Sequence, residues 1–298
     1  MAGVLGALLA AGGSVFAGCE GGSRAPDAQA RANAESAEVS VRFDISPSRE
    51  TTVQVLAFRA TVSALQELGR PDVLGTVDPL AAAGPAQGCM ARDVDIANRI
   101  LSARGASIEL EELTGVGIGL GDGATLLRPS PQLYPDVAAG VGGIVAQVGP
   151  QPVAVLPDRV SFFTADTELP VAELAVPAAP HVTSIDGAGP APSLRVDAQE
   201  PLAVTVAGGA GGVLELRPYG ATSAIACAIP AAAAAEVTVV IPRPLLSYLV
   251  ASSSRSAAGT GVAASLEVAR RARVLQSTGS TTRVSVEVRA TTTVELRP

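Results

Sequence analysis

Apolar and polar residues alternate along most of the chain after residue 38, in short runs separated by glycine, proline and other turn residues. A period of two places successive side chains on opposite faces of a strand, so these runs predict β-strands. Two segments, Asp93–Leu101 and Pro244–Val250, instead predict helices that connect sheets. The predicted strands are Val39–Ile45, Val53–Arg59, Ala106–Leu110, Ala124–Arg128, Val171–Val176, Leu194–Asp197, Leu202–Val206, Val213–Arg217, Ala224–Ile229, Val237–Ile241, Ser265–Leu275, Arg283–Arg289 and Thr292–Leu296.

Strands at intervals of about 8–12 residues are typical of sandwiches and barrels, so the sequence predicts an all-β fold. The proline-rich segment Pro177–Pro180 separates a first β-rich domain, residues 38–178, from a second, residues 181–298. Turn residues at 208–212 and 218–220 predict that the second domain is an immunoglobulin-like β-sandwich. The first domain has long loops rich in glycine and proline, and its sheet order is not predicted.

The N-terminus begins with an uncharged apolar run, residues 4–16, followed by Ala17, Gly18 and Cys19. A helix of about 13 residues is too short to cross a bilayer core of about 30 Å, but it has the length of a signal-peptide core. The order of parts resembles a bacterial lipoprotein signal. It predicts a signal peptide at residues 1–18, a lipidated Cys19 and a flexible tether to residue 37. A cleaved secretory signal and a buried N-terminal helix are the alternatives.

Four short stretches extend this resemblance to the rest of the chain. They are FAGC at 16–19, GC at 88–89, YPDV at 134–137 and the run from ELRPYG to ACAIP at 215–230. With them the chain resembles a group of uncharacterised lipoproteins from high-GC Gram-negative bacteria. The resemblance implies an acylated cysteine, a tether and two β-rich halves. It also implies a place in the cell envelope, on the outer rather than the inner membrane, and it implies no activity.

Composition excludes several classes of function. All 21 basic residues are arginine, so chemistry that needs a lysine amine is excluded. The formal net charge of −7 disfavours binding to nucleic acid. Tryptophan is absent and aromatic residues make up 3% of the chain, so stacking platforms for sugars or bases are scarce. We expect no cofactor.

No catalytic or metal site is predicted. The glycine run at 115–123 does not fit a nucleotide-binding fingerprint, and Asp122-Gly123 within it predicts a β-hairpin. His181 is the single histidine, so neither a zinc cluster nor a serine–histidine–aspartate triad is expected, and we interpret it as a linker or strand-edge residue. Three carboxylate pairs fit solvated turns better than Ca²⁺ ligands: Asp93 with Asp95, Asp166 with Glu168, and Asp197 with Glu200.

Arginines cluster at residues 268–274, VARRARV. On a strand they would occupy both faces, as expected for an edge strand protected against pairing. The alternative is contact with anionic lipid headgroups or with an acidic partner.

Export would leave Cys89 and Cys227 in an oxidising compartment, where thiols tend to pair. A disulfide would then link the two predicted domains. The alternative is that Cys227, between Ile225 and Ile229 on one strand face, is a buried core residue and Cys89 stays free.

These observations favour a membrane-anchored envelope lipoprotein that is not an enzyme and acts as a structural or protein-binding module. Its partners would be the membrane, through the lipid anchor, and an envelope protein. The alternative function is a periplasmic hydrolase that uses carboxylates.

Overall fold

The computed structural model describes residues 34–63, 84–85, 87–93, 107–121, 125–134, 141–164, 172–191, 194–231, 235–253, 261–278 and 280–297. These residues form eighteen strands and one helix. The strands are β1 (Ala34–Ile45), β2 (Thr51–Ser63), β3 (Cys89–Asp93), β4 (Ser107–Glu112), β5 (Gly117–Leu120), β6 (Thr125–Leu127), β7 (Ser130–Leu133), β8 (Val141–Val153), β9 (Arg159–Phe163), β10 (Glu173–Ala175), β11 (His181–Ile185), β12 (Leu194–Asp197), β13 (Leu202–Ala207), β14 (Val213–Pro218), β15 (Ser223–Ala228), β16 (Glu236–Ile241), β17 (Val262–Thr278) and β18 (Ser280–Arg297), and the helix is α1 (Arg243–Ser253).

The largest sheet has eleven strands and is built around the long hairpin of β17 and β18. Its order is β3-β15-β14-β17-β18-β1-β2-β4-β8-β7, and β12 also pairs with β18. The first part of β18 lies parallel to β1, and its last residues lie parallel to β12. This one 18-residue strand therefore pairs with strands that are far apart in the sequence, β1 and β12.

Two smaller sheets pack on this main sheet. The four-stranded sheet β10-β9-β5-β6 covers a core built around Phe43, Ile118 and the start of β18. The three-stranded sheet β11-β13-β16 and helix α1 cover a second core, which contains Leu214, Leu266 and the end of β18. The fold is thus all-β with a sandwich-like arrangement of sheets, as the alternating pattern predicted.

Side chains on one face of β18 contribute to both apolar cores. Val284, Val286 and Val288 enter one core, and Val294 and Leu296 enter the other. The residues between them, including Glu287 and Arg289, are on the opposite face and are also buried. That face carries both a third apolar cluster, around Phe58, and a group of charged side chains.

Several local predictions are confirmed. Helix α1 covers the predicted Pro244–Val250 segment. β5 and β6 pair as an antiparallel hairpin, as predicted, and the predicted Asp122-Gly123 turn itself lies outside the described residues. The two segments predicted at 283–289 and 292–296 are one continuous strand, β18, rather than two. The predicted helix at 93–101 lies outside the described residues, except for Asp93, which ends β3.

The predicted domain boundary lies between strands that share a sheet. β1 pairs with β18, and β3 pairs with β15, across the 177–180 segment. The turn at 218–220 closes the β14–β15 hairpin, whereas residues 208–212 carry the chain from the three-stranded sheet to the main sheet. The division into two domains and the immunoglobulin-like topology of the second stay predictions.

The predicted N-terminal segments are mostly outside the described residues, including the signal peptide, Cys19 and residues 20–33 of the tether. β1 begins at Ala34, within the last residues of the predicted tether. Among the described residues, no helix combines the length and apolar character needed to cross a membrane.

Candidate functional site

A cavity of about 800 Å³ opens on the main sheet, beside the first residues of β3 and β14 and the last residue of β15. We call it the arginine–glutamate cavity, because its charged lining residues are Arg92, Glu215, Glu267, Arg271, Arg273, Glu287 and Arg289. Glycine and proline residues before β3, before β14 and after β15 complete the wall. It lies on the face opposite the core that contains Leu214 and Leu266.

Strand register brings these charges together. Leu214 and Leu216 on β14, and Leu266 and Val268 on β17, point into the core. Because side chains alternate along a strand, Glu215 and Glu267 point to the opposite face. Glu215 lies opposite Glu267 across β14 and β17. Arg271 lies opposite Glu287 across β17 and β18. Carboxylates and guanidinium groups therefore interleave on three neighbouring strands.

Glu287 is held by two arginines. Its Oε2 accepts a hydrogen bond of 2.8 Å from Nε of Arg271, and its Oε1 accepts one of 3.2 Å from Nε of Arg289. Arg289 also ion-pairs with Glu267, with 3.1 Å between Nη1 and Oε2. The side chains of Glu287 and Arg289 are each only 4% exposed. Burial raises the pKa of Glu287, but the charges and hydrogen bonds of Arg289 and Arg271 outweigh it, and the net pKa is lowered.

Glu215 has the opposite electrostatic environment. Its Oε2 lies 3.3 Å from Nη2 of Arg92, and its side chain is 8% exposed. Its Oε1 has no hydrogen-bond partner among the described residues. Burial is the dominant influence here and raises the pKa of Glu215, although Arg92 and Arg289 act in the opposite direction. One wall of the cavity thus holds a carboxylate that is costly to ionise.

Two arginines near the middle of β17, Arg270 and Arg273, have no carboxylate partner among the described residues. Arg270 donates a hydrogen bond of 3.3 Å from Nη1 to the carbonyl oxygen of Gly208. A carbonyl oxygen has no net charge, so this bond leaves the charge of Arg270 in place. Arg273 is exposed, and within the described residues it makes no ion pair or hydrogen bond. Of the three arginines in this stretch, Arg271 is the one with a carboxylate partner, Glu287.

The same stretch of β17 has an open edge. β14 pairs with β17 only as far as Val213 opposite Ala269. Immediately before Val213 the chain turns away through Gly211, with φ +74°, and Gly212, where a Cβ would come within 2.4 Å of the carbonyl oxygen of Ala269. Beyond Ala269, the described strands pair with β17 on the β18 side alone. The cavity lies at this corner, since Gly211, Gly212 and Arg273 all line it.

The predicted edge-strand position of residues 268–274 therefore holds for part of the segment, and protection of that edge against pairing stays a prediction. Val268 and Ala269 are paired on both sides, with β14 and with β18, whereas from Arg270 onward the described part of the chain pairs with β17 through β18 alone.

The structure joins Cys89 and Cys227 in a disulfide. They lie directly opposite each other on β3 and β15. Cys227 is buried with Ile225 and Ile229 in the second core, so the sulfur bridge is on the core side of the sheet and not in the cavity.

Where the structure describes them, the other residues that the sequence singled out lie at strand ends and turns. His181 is the exposed first residue of the edge strand β11, in agreement with the strand-edge interpretation. Oδ1 of Asp197 accepts a hydrogen bond of 2.8 Å from the backbone N–H of Gln199, as in a turn. Asp95, Asp166 and Glu168 lie outside the described residues. In the described part of the chain, no three histidine, cysteine or acidic side chains gather as metal ligands.

Sequence reasoning did not predict the arginine–glutamate cavity. The available signal was the alternation of charged and apolar residues in LEL at 214–216, in LEVARRAR at 266–273 and in VEVR at 286–289. The sheet order is what places these three charged faces next to one another. Comparison of the chain with protein-family models, with curated proteins and with solved structures finds no match.

Proposed function

We propose that the protein is a membrane-anchored lipoprotein of the cell envelope, and that its β-sandwich region is a structural or protein-binding module. The anchor would be a lipidated Cys19. We further propose that residues 181–298 form an immunoglobulin-like unit and that the protein resides on the outer membrane.

One observation supports the binding role above the others. The arginine–glutamate cavity combines buried, ordered charges with an exposed arginine and an open strand edge. Protein partners recognise such edges through backbone hydrogen bonds, and charged neighbours add specificity.

Metabolic labelling with a fatty-acid probe tests the anchor. We expect label on the wild-type protein and none on Cys19→Ala, because two or more acyl chains hold a protein stably at a membrane. Equal labelling of both proteins, or of neither, would contradict lipidation at Cys19.

Chemical cross-linking in intact cells, followed by purification of the tagged protein, tests the partner. We expect one envelope protein to co-purify repeatedly with wild type. Recovery of the protein alone, from cells in which a known envelope complex cross-links normally, would contradict the protein-binding role.

A carboxylate hydrolase remains the second candidate, and the pKa values of Glu215 and Glu287 favour it by moving in opposite directions. The geometry argues against it. Glu215 and Glu287 are two strands apart across the sheet and four residues apart along the strand direction, so their Cα atoms are about 16 Å apart. Arg289 lies between them. Hydrolysis of chromogenic glycosides or esters by wild type, lost in Glu215→Gln, would establish this function instead.

A further inference from the structure

We infer that the open edge of β17 beside the arginine–glutamate cavity binds an extended acidic segment of a partner protein as an added strand. This inference rests on the proposed protein-binding function and specifies how the partner is recognised. The edge is the part of β17 from Arg270 onward, where the described residues provide pairing from β18 alone.

Beyond Ala269, no strand of the described residues lies beside β17 on the side away from β18. β14 would continue alongside Arg270–Leu275 if the chain did not turn away at Gly211 and Gly212. The space that this turn leaves is part of the cavity. A strand of about five or six residues would extend the line of β14 there, and it would satisfy the outward N–H and C=O groups of β17.

The positive charge of β17 favours an acidic partner segment. Between Val268 and Thr278, β17 carries three arginines and no carboxylate. Glu287 already binds Arg271, whereas Arg270, within the described residues, bonds to a carbonyl oxygen and to no carboxylate, and Arg273 is exposed. An added strand with an acidic side chain opposite Arg273 would supply the missing negative charge.

The pattern of β17 also defines the sequence that fits. Arg271 and Arg273 point to the cavity face, while Ala272 and Val274 point to the other face and are half-buried. Because side chains of a strand alternate, the partner segment should alternate acidic residues with small apolar ones. An anionic lipid headgroup would meet the arginines, but it could not use the backbone groups of the edge.

Fluorescence anisotropy with the full-length protein in detergent tests the inference. The probe is a labelled peptide, Ser-Val-Glu-Val-Glu-Val-Ser, and its counterpart has lysine in place of glutamate. We expect the acidic peptide to bind and the lysine peptide to bind at least about tenfold more weakly. Arg273→Glu should reverse this preference, whereas Arg195→Glu, which makes the same change of charge on the distant strand β12, should leave it unchanged.

N-methylated peptides separate strand addition from simple charge attraction. One peptide carries methyl groups on its glutamate nitrogens, and a second carries them on its valine nitrogens. Because alternate backbone N–H groups of a strand point to opposite edges, each peptide has a different edge blocked. We expect one methylated peptide to lose at least about tenfold in affinity and the other to bind like the parent peptide.

Three results would overturn the inference. Equal binding of both methylated peptides would mean attraction by charge alone. Displacement of the peptide by short-chain phosphatidylglycerol, with no effect of methylation, would mean a lipid site. Absence of peptide binding, in a protein that still cross-links to one envelope partner in cells, would reject the edge and leave the protein-binding function standing.

Discussion

At the scale of single residues, the buried charges of the main sheet are the feature that most needs a physical account. Glu287 and Arg289 are buried and Arg271 is partly buried, on the paired central strands β17 and β18. Removing such groups from water costs several kcal/mol for each ion, and their mutual attraction offsets this cost only when every charge is paired. Each member of the cluster is therefore sensitive to loss of its partner.

Glu287→Gln is expected to destabilise the fold by about 3–5 kcal/mol at neutral pH, because two largely buried arginines lose their shared carboxylate. Since the pKa of Glu287 is lowered from its ordinary 4.5, the stabilisation is present above that pH and is lost as the pH falls through the folded-state value. The difference between variant and wild type in urea denaturation should thus shrink below pH 4.5. The exposed pair Arg159–Glu173 gives the control, and Glu173→Gln should cost less than about 1 kcal/mol.

At the scale of secondary-structure elements, the sequence predicted strands well where β-branched residues alternate with polar ones. β12 was predicted residue for residue, and β13, β14 and β16 to within one residue at either end. β8 was missed, because its sequence VGGIVAQVGPQPV contains three glycines and two prolines and reads as a loop. Glycine and proline disfavour strands on average, but the pairing of β8 with β2, β4 and β7 overrides that preference.

Gly143 shows why β8 needs glycine. Its φ is +138°, and a Cβ there would come within 1.9 Å of the carbonyl oxygen of Leu110 on β4. Gly143→Ala should therefore cost about 2–5 kcal/mol, from backbone strain and from displacement of β4. Gly149, on the same strand, has no atom within 4 Å of its Cβ position. Gly149→Ala should change the free energy of unfolding by less than about 1 kcal/mol, and equal effects of the two variants would contradict this account.

At the scale of the whole molecule, sequence patterns identified the all-β class and could not supply the sheet order. Strand pairings between residues such as Val39 and Val284 are separated by most of the chain, and the alternation of each strand says nothing about its neighbour. The cavity depends on that order, since its charges come from β3, β14, β17 and β18. This is why the individual charged residues could be read from the sequence and their assembly could not.

The disulfide links two residues that are far apart in the sequence and lie on neighbouring strands of this sheet. Cys89 and Cys227 are separated by 138 residues, so in the chain-entropy account the bond stabilises the fold by about 5 kcal/mol. In the Cys19→Ala protein, denatured without reductant, a thiol reagent should label no cysteine, and after reduction it should label two. Reduction should also lower the urea midpoint. Two labelled thiols before reduction would show that the bond does not form.

The shared sheet predicts that the two halves of the chain unfold together. Phe43 is fully buried in the first core, so Phe43→Ala should cost about 3–5 kcal/mol. β18 contributes Val286 to that core and Leu296 to the other, and β17 runs beside it along both. Loss of the first core should therefore release the strands on which the second core is built.

Pulsed hydrogen exchange with mass spectrometry, across a urea series, measures this coupling segment by segment. In Phe43→Ala we expect the urea midpoints of peptides from β2 and from residues 202–241 to fall by the same amount. Val155→Ala, at a site that is 79% exposed, should shift neither. If only the β2 peptides shifted, the halves would unfold as independent domains divided near residues 177–180. Equal shifts would instead mean that the β17–β18 hairpin makes them one cooperative unit, because neither core can keep its strands without the other.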